Sequence, residues 1–501
     1  VFYESTRGQY QSKVSSAEAI KMGIAPDGGL FVPGEIPLIT GEQLLEMTAL
    51  DYRARAVRIL KAFLSDYTEE EIRDCVAQAY TSEKFDVPEV APVRTPDDAL
   101  YFLELWHGPT CAFKDMALQI LPHLLTRAAA KTGEEASIVI LVATSGDTGK
   151  AALEGFKDVP GTKIIVFYPA RGVSEVQKYQ MVTQEGTNVA VVAVRGNFDD
   201  AQTGVKNIFS NADFNRLLQK EHYRLSSANS INWGRLAPQI VYYFSAYLDL
   251  AAKGALSPGE KINFVVPTGN FGNILAAFYA REMGLPVNRL ICAANVNNVL
   301  TGFIRTGVYD RVREFHKTIS PSMDILISSN LERLLYHLSG RDHERIREWM
   351  AALNRSGVYR VDADTHARIG KIFWSGYAGD DETLATIDSL YRRCGYVVDT
   401  HTAVGVRVYE KYTTATGDGA KTVIVSTASP FKFNESVARA VLGENAVRGK
   451  DEFRLLEDLA AATGLEIPAG LRGLEQKPAR HRKTAGRDQM LAAVEDILRA
   501  I

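Results

Sequence analysis

The sequence predicts an α/β fold built on mainly parallel sheets, and three observations lead there. Short, near-continuous apolar runs recur at residues 101–105, 138–143, 164–168, 189–194, 262–266, 290–294 and 423–425. Runs of this kind, rich in Val and Ile, suit strands buried on both faces. Segments of helical period alternate with them, and three of the runs lead into glycine- or hydroxyl-rich turns that open helices. In open parallel sheets ligands bind at that place, beyond the carboxyl ends of the strands.

With 501 residues, 46% of them hydrophobic, the chain has room for two or three domains. Lys and Arg total 57 against 60 Asp and Glu, a net charge of -3, so no overall field recruits nucleic acid or an anionic membrane, and a small-molecule partner is expected. Cys75, Cys111, Cys292 and Cys394 are far apart and form no CxxC pair. That spacing argues against a disulfide framework and a thiolate metal site, and it fits a reducing cytoplasm. Residues 1–13 lack an apolar h-region, and nowhere do about 18 apolar residues run together, so neither export nor membrane insertion is expected.

Residues 1–92 hold turn signals at Arg7-Gly8 and Asp27-Gly28-Gly29 and helix-period segments at 41–58 and 68–80, which predicts a small, mostly helical N-terminal domain. Pro88, Pro92 and Pro96 mark its end. Residues 301–390 carry fewer strand signals and many charges, as in Arg341-Asp342-His343-Glu344-Arg345, and are expected to form a largely helical insertion. The basic stretch 472–487, with Lys477, Arg480, Arg482 and Lys483, lacks interleaved aromatics and reads as a solvated face.

Four strand-end segments can carry chemistry. In Glu104-Leu105-Trp106-His107-Gly108-Pro109-Thr110-Cys111-Ala112-Phe113-Lys114-Asp115 a strand ends, the Gly108-Pro109 turn gives way to a helix, and Lys114 stands at its start. The positive end of a helix dipole opposes protonation of an amine, as an imine-forming lysine requires. Ala117, Ile120, Leu121, Leu124 and Ala128 would bury one face of that helix, and Pro122 should kink or break it. Thr144-Ser145-Gly146-Asp147-Thr148-Gly149 offers small donors and backbone N–H groups to an anion. It is not a P-loop, because Ala151 stands where Ser or Thr is needed. Gly269-Asn270-Phe271-Gly272-Asn273 can wrap a phosphate at a helix start, and its glycine spacing does not match the dinucleotide pattern. Ser426-Thr427-Ala428-Ser429-Pro430 places hydroxyls at a strand end, where one can bond a ring nitrogen without lending it a full charge. Neither HExxH nor GxSxG occurs, and no metal site is expected.

Together, Ala112-Phe113-Lys114-Asp115, the 144–149 segment and the 269–273 segment resemble the fold-type II pyridoxal-phosphate enzymes. Within that group the chain is similar to the long-form threonine synthase family. Tyr3-Glu4-Ser5-Thr6-Arg7-Gly8, the 23–33 segment and Ser226-Ser227-Ala228-Asn229-Ser230-Ile231-Asn232-Trp233-Gly234-Arg235 carry that finer likeness. The resemblance implies two open, twisted, mainly parallel sheet lobes with helices on both faces. The large cofactor lobe would span 93–137, 225–300 and 391–501, and 138–224 would form a small mobile lobe. It implies pyridoxal 5'-phosphate held as an imine by Lys114 beside Phe113, with the phosphate on Gly269, Asn270, Phe271, Gly272 and Asn273, and Thr427 facing the pyridine nitrogen. Asp147 stands where relatives often carry asparagine near the cofactor's 3-hydroxyl.

The reaction implied is O-phospho-L-homoserine plus water to L-threonine plus phosphate, the last step of threonine biosynthesis. Its substrate carries two anionic ends. Ser145, Thr148 and Thr110 suit either anion by size and donor capacity, and Asn229, Asn232, Arg235 and Lys178 are candidates for the phosphate end. Alternatives are another lyase of the same fold type, such as a threonine dehydratase or an amino-acid phospholyase, and a catalytically silent binding protein. Monomer and homodimer are both compatible with the sequence.

Overall fold

The computed structural model describes residues 1–97 and 100–500 and builds them around two large sheets. In the six-stranded sheet the order is Phe373–Tyr377, Val287–Ala294, Ile262–Pro267, Thr422–Ser426, Leu100–Glu104 and Val93–Asp97. Only the last pair is antiparallel. The five-stranded sheet is parallel throughout, in the order Lys483–Gly486, Val189–Arg195, Thr162–Pro169, Ser137–Ala143 and Tyr223–Ser226.

Every apolar run read from the sequence falls on one of these strands. The four remaining strands, Val93–Asp97, Tyr223–Ser226, Phe373–Tyr377 and Lys483–Gly486, all lie at sheet edges. An edge strand has one neighbour and less to bury, so its sequence need not show an apolar run. Two expectations about organisation change as a result. Phe373–Tyr377 lies inside the segment read as a helical insertion yet extends the large sheet, and Lys483–Gly486, read as a solvated basic face, closes the edge of the small sheet. Residues 483–500 thus pack with the small lobe, not with the large lobe to which 391–501 was assigned.

Alternation within each central strand explains why both sheet faces are apolar. Val139, Leu141, Ile165, Phe167 and Val192 face a cluster closed by the helices Phe198–Ser210, Ala212–Lys220 and Met490–Ala500. Their neighbours Ile138, Ile140, Val142, Ile164 and Val166 face the main core. In the large sheet Phe102, Val265, Ile291 and Ile424 point one way and Leu103, Val266, Cys292 and Val425 the other. Each such buried aliphatic side chain contributes ~2 kcal/mol.

The N-terminal segment is mostly helical, with helices Ser16–Met22, Gly41–Glu46, Tyr52–Phe63 and Glu69–Ala79. The helix expected over 41–58 is cut in two because Asp51 accepts the Ala54 N–H at 2.8 Å and starts a new helix. Tyr3 and Phe63 pack against Trp233, one tilted and one edge-on, each with ring centroids 5.3 Å away, and so fasten this segment to the large lobe. Among the described residues no helix is long and apolar enough to cross a membrane.

Candidate active site

Register brings the strand-end loops together. Ser426 pairs with Glu104 and Val423 with Phe264, so the strands Leu100–Glu104, Thr422–Ser426 and Ile262–Pro267 deliver their following loops to one edge of the sheet. The loop before Lys114 is stitched to the hydroxyl loop. The Phe113 N–H donates to the Thr427 carbonyl at 2.8 Å, and the Ser429 N–H to the Cys111 carbonyl at 3.1 Å. Buried Thr427 therefore stands against the segment that carries Lys114.

Lys114 does not open the long helix the spacing predicts. It precedes a four-residue helix, Asp115–Leu118, and the chain restarts as Leu121–Lys131 with Pro122 in its first turn. One turn of helix supplies little dipole, so the sequence-based cause of a lowered amine pKa does not carry over. Burial does the lowering; Asp147 opposes it, and the charges of Lys432 and Arg235 reinforce it, leaving Lys114 below the ordinary lysine range.

Asp147, the first residue of the helix Asp147–Phe156, is the hub. Its Oδ2 lies 3.2 Å from Lys114 Nζ and accepts from Ser322 Oγ at 3.2 Å. Its Oδ1 lies 3.2 Å from Lys432 Nζ and accepts from Gln177 Nε2 at 2.8 Å. Burial alone would raise the Asp147 pKa, but the ammonium groups of Lys114 and Lys432 outweigh it and hold the carboxyl well below its usual range. Sequence reading did not single out Lys432, whose side chain has no exposed surface and also donates to the Thr110 carbonyl at 2.6 Å. The available signal was its place between Phe431 and Phe433, directly after the hydroxyl loop.

The 269–273 loop connects to this hub through Ser322. A Cβ at Gly269 would lie 2.5 Å from the Ser322 carbonyl oxygen, so only glycine lets the two backbones approach this closely. Phe271, at φ 65°, turns the chain left-handed immediately before the helix Gly272–Glu282. Tyr242 and Tyr243 donate to Asn273 Oδ1 at 2.5 and 2.7 Å, while Asn273 Nδ2 is buried without a partner. This donor set fits a phosphate: an orphaned amide, a left-handed turn and the start of an eleven-residue helix in one loop. With Lys114 and Thr427 alongside, the residues present fit pyridoxal phosphate.

The other singled-out residues divide. Ser145 is exposed on its loop and Thr148 is half-buried in the helix Asp147–Phe156, next to Asp147. Arg235 is buried, donates to the Ala228 carbonyl at 2.9 Å, and acts electrostatically on Lys114. Burial lowers its pKa to about 10, which leaves it a cation near neutrality. Thr110 is turned away from any ligand, because its N–H and hydroxyl both donate to Asp115 at 2.8 Å. Asn232 caps the helix Trp233–Ala252, accepting the Gly234 N–H at 2.9 Å and donating to the carbonyls of Ile20 and Ser227. Lys178 is half-exposed and pairs with Glu175 at 3.4 Å, and Asn229 is exposed.

A largely buried lysine of lowered proton affinity, a phosphate loop at a helix start and a neutral strand-end hydroxyl, set between two open α/β lobes, define a pyridoxal-phosphate-dependent enzyme of fold type II. Family models agree: residues 69–369 match "Pyridoxal-phosphate dependent enzyme", 2–80 match "Threonine synthase N terminus" and 402–497 match "Threonine synthase, C-terminal". The chain is 40% identical to threonine synthase of Pseudomonas aeruginosa over 443 residues, covering 88% of this chain and 91% of that one. It is 40% identical to human threonine synthase-like 1 over 444 residues, 86% of this chain, and spans 59% of that protein's length. The crystal structure of pyridoxal-phosphate-bound threonine synthase from Brucella melitensis superposes with a TM-score of 0.87 at 37% identity, covering 100% of this chain and 99% of that one. The chain belongs to the threonine synthase family.

Proposed function

We propose that the chain converts O-phospho-L-homoserine and water to L-threonine and phosphate, acting in the cytoplasm. The observation that carries this reading is the largely buried Lys114, held by a carboxylate of the small lobe at the point where the phosphate loop and the Thr427 loop meet. Pyridoxal phosphate, when bound, supplies the electron sink for carbanions formed on the substrate. Gly269 to Asn273 would hold its phosphate, and Thr427 would offer the ring nitrogen a neutral hydroxyl.

Lys114 in its neutral form would hold the cofactor, and its amine holds and moves the proton at the substrate Cα and then at Cβ and Cγ. Asp147 aims it. Ser145 and Thr148, at the start of the helix that Asp147 opens, have free donors for the substrate carboxylate. Arg235 supplies the cationic end for the substrate phosphate, with Asn229 and Lys178 at its rim. Thr110 and Asn232 act indirectly, the first by fixing Asp115 and the second by capping the helix of Arg235. Closure of the small lobe shields the carbanion from protonation by bulk solvent.

The test is an assay with O-phosphohomoserine that follows phosphate and threonine together. Equal release of both is expected. Formation of 2-oxobutanoate and ammonia instead would replace this reading with a dehydratase, and no turnover with no visible absorbance would replace it with a binding protein.

A further inference from the structure

The reading of Lys114 as the cofactor lysine leaves a second buried lysine unexplained. Lys432 is fully buried, with 0% side-chain exposure, and lies on the 3-10 turn Pro430–Phe433 that follows the Thr427 loop. Its two polar contacts are Asp147 Oδ1 at 3.2 Å and the Thr110 carbonyl at 2.6 Å. Asp147 is thus gripped from both sides, Oδ2 by Lys114 and Oδ1 by Lys432, with Gln177 and Ser322 filling its remaining acceptor sites.

Burying a cation is costly, and a hydrogen bond to a carbonyl does not need one. A neutral donor at 432 would satisfy Thr110 as well. A charge there has a consequence a neutral group lacks: it divides the Asp147 carboxylate between two ammonium groups. We propose that Lys432 is a positioning residue of the active site, which shares Asp147 with Lys114 so that the carboxylate aims Lys114 across the cleft without locking it in its protonated form.

All the charged groups around this cluster enter the argument. Asp147, Lys432 and Arg235 act on Lys114, and Asp115 and Cys111 lie near Lys432; His401 beside them accepts the Ser322 N–H on Nε2 at 3.1 Å and faces Asp399 through Nδ1 at 2.7 Å. Without Lys432, Asp147 would serve Lys114 alone and stabilise its ammonium form. Lys114 would then be a poorer nucleophile and base at a given pH, although every residue touching the cofactor stayed in place.

The experiment uses the full chain without added cofactor and reads the pH midpoint of Lys114 acetylation by peptide mass spectrometry, so it does not depend on turnover. Lys432→Gln keeps a donor for Thr110 and removes the charge; its Lys114 midpoint is expected to rise by about one pH unit, the scale of one charge at this range. Lys432→Arg keeps the charge, and its midpoint is expected to stay near wild type. An unchanged midpoint in a Lys432→Gln protein that melts like wild type overturns the proposal, and so does an equal rise in both variants. Should Lys432→Gln fail to fold, Asp147→Asn decides with the opposite sign: its midpoint falls if the carboxylate acts on Lys114 as proposed, and a midpoint that stays put overturns it. Attachment of the cofactor at Lys114, read separately after borohydride reduction, keeps this test distinct from the assignment of Lys114 itself.

Discussion

Lys114 Nζ lies 3.2 Å from Asp147 Oδ2, and because Lys114 belongs to the large lobe while Asp147 opens the first helix of the small lobe, this ion pair, like that of Lys432 with the same carboxylate, spans the cleft. Replacing Asp147 with Asn removes a carboxylate shared by two buried ammonium groups. Breaking a buried pair from one side costs about 3–5 kcal/mol, and misplacing a catalytic base costs about 10²-fold or more in kcat. Urea unfolding and steady-state kinetics of Asp147→Asn are therefore expected to show both losses. Wild-type kcat in this variant would remove Asp147 from the mechanism.

The same two lobes meet at Gly155. A Cβ there would lie 2.0 Å from the Leu118 carbonyl, on the last residue of the short helix that follows Lys114. Alanine gains up to about 1 kcal/mol in helix propensity, but the backbone it would strike cannot rotate away as a side chain can, and overpacking costs about 1–3 kcal/mol. Gly155→Ala is expected to lower both stability and kcat, since the displaced helix carries Asp147 at its start. A stabilised variant would show that the small lobe can shift freely against Leu118.

His107 is held between two carboxylates, with Nδ1 2.6 Å from Asp86 and Nε2 2.8 Å from Glu104. Burial alone would lower its pKa, but bonding to Asp86 and Glu104 raises it above the ordinary histidine value. A raised folded-state pKa means the contribution is complete below the unfolded value of about 6.5 and disappears as pH climbs through the folded value. Urea midpoints should therefore fall as pH rises above about 6.5. His107→Gln should flatten that slope, and an unaltered slope would place its origin elsewhere.

Burial pushes the thiols of Cys75 and Cys111 up to about 12 and that of Cys292 up to about 11. A thiol reagent needs both access and thiolate. At pH near 8 the native protein should react first at Cys394, which is only partly buried, with the other three labelled once denaturant is added. Rapid labelling of Cys111 in the native state would mean that the segment leading to Lys114 opens readily.

The central strands were legible because burial on both faces forces Val and Ile to run together, as in Ile138 to Val142. Edge strands such as Phe373–Tyr377 and Lys483–Gly486 escape that constraint and cannot be separated from loop or charged surface by pattern alone. At the site, Lys114, Asp147 and the 269–273 loop were visible because backbone geometry demands glycines and small residues around them. Lys432, Gln177 and Ser322 were not, because each reaches Asp147 from an element distant in sequence, and no local pattern records a contact made by tertiary packing. Thr110 and Asn232 show the converse: the residue type suited a ligand, while the fold spends their donors on Asp115 and on backbone carbonyls.

The most direct test is to load the protein with pyridoxal phosphate, reduce it with borohydride, digest it and locate the pyridoxyl group by mass spectrometry. The group is expected on Lys114, with none on Lys432 a few ångströms beyond Asp147. Labelling of Lys432, or of neither lysine, would contradict the account.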